Sequence, residues 1–295
     1  MHLHAHHDSK TASQLGEKRL WWAVGANCFL TLVQVTGGVV SGSLALIADA
    51  LHNFSDAASL LLALIAIRIG RRPPDQFKTF GYKRAETIAA LINLVVLVII
   101  GLGLVIEAFK RFYAPIDVDG GLVIIVAVVA LIVDVFTSYL TYSQSKSSMN
   151  MHAVFLHNLT DALGSLGVIV GAILILNYGW MRVDALITLM IATYILWQGF
   201  LEMPRVIHLL MEGTPKGIEI DEVIEGMQGR EGVANVHHVH IWQLDEHRNA
   251  LEAHVVLKEN EDMDAVKKDL KSYLVEKFDI THSTLEFENV SCEAK

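Results

Sequence analysis

The chain has 295 residues, of which 53% are hydrophobic and only 19% charged, too apolar a balance for an average soluble domain. Its 23 Lys and Arg stand against 32 Asp and Glu, and the net charge of −9, lodged mainly toward the C-terminus, argues against nucleic acid as a partner. The two cysteines, Cys28 and Cys292, lie far apart in sequence and are not expected to form a disulfide framework.

The first 19 residues read as a polar arm. Its start, MHLHAHHDSK, has neither an apolar h-region nor a cleavage site, so it does not read as a signal peptide. His2, His4, His6 and His7 form a tract of the kind that binds metal loosely by composition, and a chance cluster explains it nearly as well. Residues 20–207 then hold six apolar runs, near 20–41, 43–67, 86–109, 120–142, 152–176 and 183–203. Each has about the 20 residues needed to cross a hydrocarbon core roughly 30 Å thick. Residues 208–295 alternate charge and hydrophobe as a small globular domain does.

Lys and Arg set the expected orientation. Arg68, Arg71, Arg72, Lys78, Lys83 and Arg84 fill the loop after the second run, and Lys10, Lys18 and Arg19 precede the first. Both segments are expected in the cytoplasm, and six spans return the C-terminal domain to the same side. Lys110, Arg111 and Arg182 fall on the opposite side near helix ends, where long side chains can snorkel.

A short motif recurs within the second and fifth runs: LHNFSDA at 51–57 and LHNLTDA at 156–162. With an even number of spans these runs point in opposite directions, as in a three-plus-three inverted repeat, whose substrate site lies near the bilayer midplane. On a helix, residues four apart share one face, so His52 joins Asp56 and His157 joins Asp161. Two imidazoles and two carboxylates suit tetrahedral zinc, with ligand distances of about 2.0–2.2 Å, whereas magnesium and calcium prefer all-oxygen shells. An aspartate at the centre of a spanning helix costs about 2.5–3.5 kcal/mol even on the lenient insertion scale. A dication compensates it directly, and protons can do so when the metal is gone, which gives a chemical route to metal–proton exchange.

Polar groups also glue membrane helices together, and Asn53, Ser55, Asn158, Thr160, Asn27 and Gln34 are read in that way. Asp49, one turn outward of His52, is a candidate proton relay. Asp134 and Glu107 are weaker candidates.

In the C-terminal domain the pattern is α-β-β-α-β: a helix at 220–227, strands at 236–244 and 250–257, a helix at 262–278 and a strand at 283–288. Histidines gather there at 237, 238, 240, 247, 254 and 282. Strict alternation puts Val236, His238 and His240 on one face of the first strand and His237, Val239 and Ile241 on the other, so that they cannot all serve one site. His238 and His247 are read as ordinary surface positions, and Cys292 as a weak further donor.

The motifs HNFSD and HNLTD, the loop RRPPDQFKTFGYKRAE, the junction LLMEGTP and the later HHVHIW together resemble the cation diffusion facilitator family, in particular its zinc, cadmium and cobalt resistance branch. The resemblance spans nearly the whole chain except its extreme N-terminus. It implies a six-helix membrane domain followed by a cytoplasmic metallochaperone-like domain that regulates and dimerises. It also implies a homodimeric, proton-coupled exporter of Zn2+, with Cd2+ or Co2+ as further cargoes, embedded in lipid in a bacterial inner membrane.

The family's intramembrane site falls on His52, Asp56, His157 and Asp161, and the two-histidine form implies a preference for zinc over cadmium. For the cytoplasmic domain the resemblance favours His237, His254 and His282 with Glu288, and His240 in reserve. Relatives with an accessory site in the loop after the second span place histidines there. This loop has Asp75 with Lys78, Tyr82 and Lys83, so that site is expected to be missing or very weak. Arg84 and Glu212 are candidates for a charge clasp. Two rivals stand beside the exporter: a membrane metal sensor or scaffold without transport, and a di-iron membrane oxidase, which needs more ligands than these motifs supply.

Overall fold

The computed structural model describes residues 25, 28–145, 149–245 and 248–288. The N-terminal histidines, Asn27, His247 and Cys292 lie outside the described residues. The chain forms two compact units, one built from residues up to Leu62 with Ile92–Leu201, the other from Ala63–Leu91 with Glu202–Lys295.

The apolar runs form helices: α1 (Cys28–Ser41), α2 (Leu44–Gly70), α3 (Arg84–Tyr113), α4 (Gly120–Ser145), α5 (Met149–Tyr178) and α6 (Arg182–Leu210). Among the described residues five of these are long and apolar enough to cross a membrane, and α1 is the described part of the first run. Helices α2 to α6 run past the expected C-terminal ends by a few residues because the ladder of backbone hydrogen bonds continues into the polar flanks after the hydropathy has fallen. The largest difference is in α6, which continues to Leu210 through Pro204. Proline deletes one ladder bond, a loss that membrane helices tolerate.

Small residues let the helices approach. Ala45, Ala48 and Ala50 of α2 are fully covered, while Ile99, Ile132, Phe136 and Trp197 remain exposed on outer faces where lipid would supply the contacts. At Gly37 of α1 an added Cβ would stand 2.7 Å from Val126 Cγ2, so this approach to α4 needs glycine. The turn joining α1 to α2 holds Gly42 at φ 76°. Arg111 on α3 donates to the Gly42 carbonyl at 2.6 Å, so it ties the turn down rather than only reaching for the surface. At the next residues Asp184 of α6 receives Ser43 Oγ at 2.6 Å and the Leu44 N–H at 2.8 Å, capping α2 from another helix.

The C-terminal part reads α7 (Ile220–Gln228), β1 (Val233–Asp245), β2 (Arg248–Leu257), α8 (Met263–Phe278) and β3 (Ile280–Glu288), the expected order. The sheet runs β1-β2-β3, with β1 and β2 antiparallel and β2 and β3 parallel, α8 making the crossover. Val266, Leu270, Leu274 and Phe278 repeat every four residues along α8 and pack with Val223 and Met227 of α7 against Leu251, Ala253 and Val255 of β2. Asp262 caps the start of α8 through the Asp264 N–H, and Asp279, at φ 52°, ends it in a left-handed turn.

One local expectation fails. From His237 opposite His254 to His240 opposite Glu252, β1 advances three residues while β2 advances two. The extra residue is a β-bulge, with His238 at φ 52°. Val236 and Ile241 therefore both enter the core despite their odd spacing, and strict alternation does not divide the histidines between two faces.

Candidate metal centre

Helices α2 and α5 bring the two motif copies together. His52 Nε2 stands 3.4 Å from Asp161 Oδ1 and 3.7 Å from Asp56 Oδ2, and His157 Nε2 stands 3.2 Å from Asp56 Oδ2 and 3.6 Å from Asp161 Oδ2. The cross pairs, 52 with 161 and 56 with 157, run in opposite order along the two helices, which is the antiparallel arrangement the repeat implies. Each imidazole nitrogen faces both carboxylates, so nitrogen and oxygen alternate around one small space. Donor atoms of His52, His157 and Asp161 all lie within 4.8 Å of one another. His52 and Asp161 are buried, yet His52 Nε2, Asp56 Oδ2 and Asp161 Oδ1 have no hydrogen-bond partner among the described residues. Buried polar atoms that converge on one centre at ion-pair distances, without a well-aligned hydrogen bond among them, fit a cation between them.

A second cluster sits on the outer face of the C-terminal sheet. His237 and His254 are opposite each other across β1 and β2, and Glu286 is opposite His254 across β2 and β3. His254 Nδ1 is 2.7 Å from Glu288 Oε1, and His237 Nε2 is 3.4 Å from Glu288 Oε2. His237, His254 and Glu288 place donor atoms within 4.8 Å of one another. The bulge brings His238 in as well, its ring centroid 4.9 Å from that of His254 and 4.9 Å from that of His240. His282 goes elsewhere: it pairs with Ala250, four positions along β3 from Glu286, and meets Phe80 edge-on at 5.6 Å.

Residues 20–211 match the cation efflux transmembrane domain, and residues 215–290 match the cytoplasmic domain of cation efflux proteins. The chain belongs to the cation diffusion facilitator family. It is 36% identical to the zinc transporter ZitB of Escherichia coli (strain K12) over 99% of this chain and 93% of the relative. It is 35% identical to the cadmium, cobalt and zinc/H(+)-K(+) antiporter of Bacillus subtilis (strain 168) over 87% of this chain and 84% of the relative. Among solved structures, the metal-bound C-terminal domain of the CzcD transporter from Cuprividus metallidurans is 36% identical, covering 24% of this chain and 99% of that one, with a TM-score of 0.23. The protein is therefore a multi-pass membrane protein of a family of metal efflux transporters.

Within this cation diffusion facilitator, Asp49 is buried and accepts from Gln34 Nε2 at 2.6 Å, while Gln34 Oε1 accepts from Asn53 Nδ2 at 3.0 Å. Gln34 thus joins α1 to α2 by hydrogen bonds, as a packing group in a membrane does. Asp134 of α4 accepts from Ser165 of α5 at 3.0 Å, and Glu107 pairs with Lys110 and Arg111 at its own helix end. In the loop after α2, Asp75 accepts from Tyr82 Oη at 2.6 Å and from the N–H groups of Phe77 and Lys78 at 2.8 Å each. These bonds hold its carboxyl below the usual range, the Tyr82 hydroxyl first, and push the Tyr82 phenol up. A carboxylate so committed, beside lysines, makes a poor metal ligand.

The quartet has a further aromatic neighbour among the described residues. Tyr194 of α6 lies edge-on to His52 with ring centroids 6.2 Å apart. An aromatic residue in an apolar helix gives no sequence signal that separates lining a site from packing.

Proposed function

We infer that the protein exports Zn2+ from the cytoplasm by alternating access in exchange for protons, with Cd2+ and Co2+ as further cargoes, and that His52, Asp56, His157 and Asp161 hold the ion. The single observation that carries this reading is the alternating ring of two imidazole nitrogens and two carboxylates, with buried donor atoms left without hydrogen-bond partners. Zinc takes four such ligands in tetrahedral array. The names of the relatives, a zinc transporter and a cadmium, cobalt and zinc/H(+)-K(+) antiporter, support the cargo and the exchange.

Imidazole and carboxyl groups must lose their protons to ligate metal, so zinc entry from one side expels protons, and protonation on the other side expels zinc. The same four groups then serve both ions in turn. The second cluster, His237, His254 and Glu288, would bind cytoplasmic zinc as a regulator, and metal held between two copies would favour a closed homodimer. In this reading residues 1–19 form a cytoplasmic arm, 20–207 the membrane domain and 208–295 the regulatory and dimerisation domain. Both termini face the cytoplasm across a bacterial inner membrane. The basic loop after α2 supports that orientation.

Proteoliposome flux tests the proposal. The native protein should move zinc in response to a pH gradient, and Asp56→Ala and Asp161→Ala should each abolish that movement. Native flux in either variant removes that residue from the site, and zinc binding without flux in the native protein would make it a sensor.

A further inference from the structure

A metal-binding imidazole is normally oriented by a hydrogen bond from its other ring nitrogen to a carboxylate, a carbonyl or water. His52 departs from this: its Nδ1 is buried and has no hydrogen-bond partner among the described residues. Something else must set the plane of the ring. Its aromatic neighbours are His157, at 5.9 Å and 65°, and Tyr194, at 6.2 Å and 76°, both edge-on. His157 is itself a member of the quartet, so Tyr194 is the aromatic wall supplied from outside it.

Tyr194 is in turn fixed at its far end. Gln198, one turn along α6, donates from Nε2 to the Tyr194 hydroxyl. The ring that faces His52 is therefore fixed from its own helix.

We propose that Tyr194 is a positioning residue of the transport site, its ring holding the His52 imidazole so that Nε2 stays aimed at Asp56 and Asp161. This rests on the four-residue transport site proposed above. A ring held by packing keeps the four donors at the spacing of a small cation. Without it, His52 can swing to longer distances, which a larger and softer ion such as cadmium tolerates better than zinc does.

The test is zinc and cadmium uptake by proteoliposomes of the full-length protein carrying Tyr194→Leu, Tyr194→Phe or Asp56→Ala. The leucine variant should raise the zinc KM by about tenfold or more, the usual scale for losing an orienting neighbour of a metal ligand. Its maximal rate should be retained and its cadmium KM should move less, lowering the zinc-to-cadmium preference. The phenylalanine variant keeps the edge-on ring, so its zinc KM should stay within about twofold of native.

A leucine variant with native KM and native preference overturns the proposal, as does a fall in maximal rate alone, the mark of a merely structural role. A phenylalanine variant as impaired in KM as the leucine one also overturns it, because the hydroxyl would then be the active part. If the leucine variant does not accumulate in the membrane, Tyr194→Met makes the same comparison. Asp56→Ala separates the two ideas: flux surviving there defeats the transport site itself, whereas flux lost there with native KM in the leucine variant defeats only the role of Tyr194.

Discussion

Asp184 accepts a hydrogen bond from the backbone N–H of Leu44 at 2.8 Å, so the first turn of α6 caps the first turn of α2. The same carboxylate takes Ser43 Oγ, and Ser43 Oγ takes the Leu46 N–H at 3.1 Å. All these groups are buried, so no water replaces the carboxylate if it is removed. Asp184→Ala should destabilise the protein by about 1–3 kcal/mol, the desolvation penalty of orphaned backbone donors. Asp184→Asn keeps one acceptor oxygen and should fall between the two. Thermal melts of the detergent-solubilised protein measure the order, and equal melting temperatures for native and Asp184→Ala would refute it.

Arg84 and Glu212 do pair, at 3.2 Å, and the guanidinium also donates to the carbonyls of Leu244 at 3.2 Å and Gln243 at 3.3 Å. Glu212 is largely exposed, and an exposed ion pair contributes less than about 1 kcal/mol. The guanidinium therefore matters more than the pair. Arg84→Ala should lower the melting temperature and slow transport more than Glu212→Ala does, and Arg84→Lys should not rescue it because an ammonium cannot reproduce the planar fork. Equal effects of the two alanine variants would show that the ion pair alone carries the contact.

The convergence of His52, Asp56, His157 and Asp161 was legible because its signal is local: two copies of one motif, each with a four-residue spacing that a helix converts into a shared face. The α-β-β-α-β order was legible from changes of hydrophobic period. What the sequence hid were contacts that break a period or cross between helices. VHHVHIW alternates well enough to read as an unbroken strand, and only the register against β2 reveals the extra residue at His238. Asp184 looks like an ordinary acidic residue in the first turn of its own helix, and its capping of α2 is a contact across 140 residues. The separation of His282 from His254 along the sheet was hidden for a similar reason. Parallel pairing of β3 with β2 fixes which residue of β3 meets His254, and that residue is Glu286.

That register gives the cytoplasmic cluster a sharp test. His237→Ala, His254→Ala and Glu288→Gln should each remove bound zinc from the full-length protein at the sheet face. His282→Ala should leave that site filled, since its ring meets Phe80 edge-on instead. Equilibrium dialysis, with Asp56→Ala introduced to silence the membrane site, reads the stoichiometry. Loss of zinc in His282→Ala equal to that in His254→Ala would show that the ligand set is not the one the sheet register brings together.

The C-terminal domain also carries an acid-sensitive link. The bidentate pair between Arg230, just after α7, and Asp269 of α8 holds the Asp269 carboxyl below the usual range, the guanidinium's hydrogen bonds being the main cause. Because the folded value is depressed, the pair stabilises the domain at any pH above the unfolded value, about 3.9 for aspartate, and the contribution fades as pH falls through the folded value. The difference in melting temperature between native protein and Asp269→Asn should accordingly be constant between about pH 5 and pH 7 and shrink toward zero on further acidification. A difference that persists unchanged in strong acid would mean that Asp269 acts through shape and neutral hydrogen bonding, which asparagine fails to copy, and not through its charge. Salt discriminates in the same direction: the pair is partly exposed, so raising ionic strength at neutral pH should narrow the gap between the two proteins.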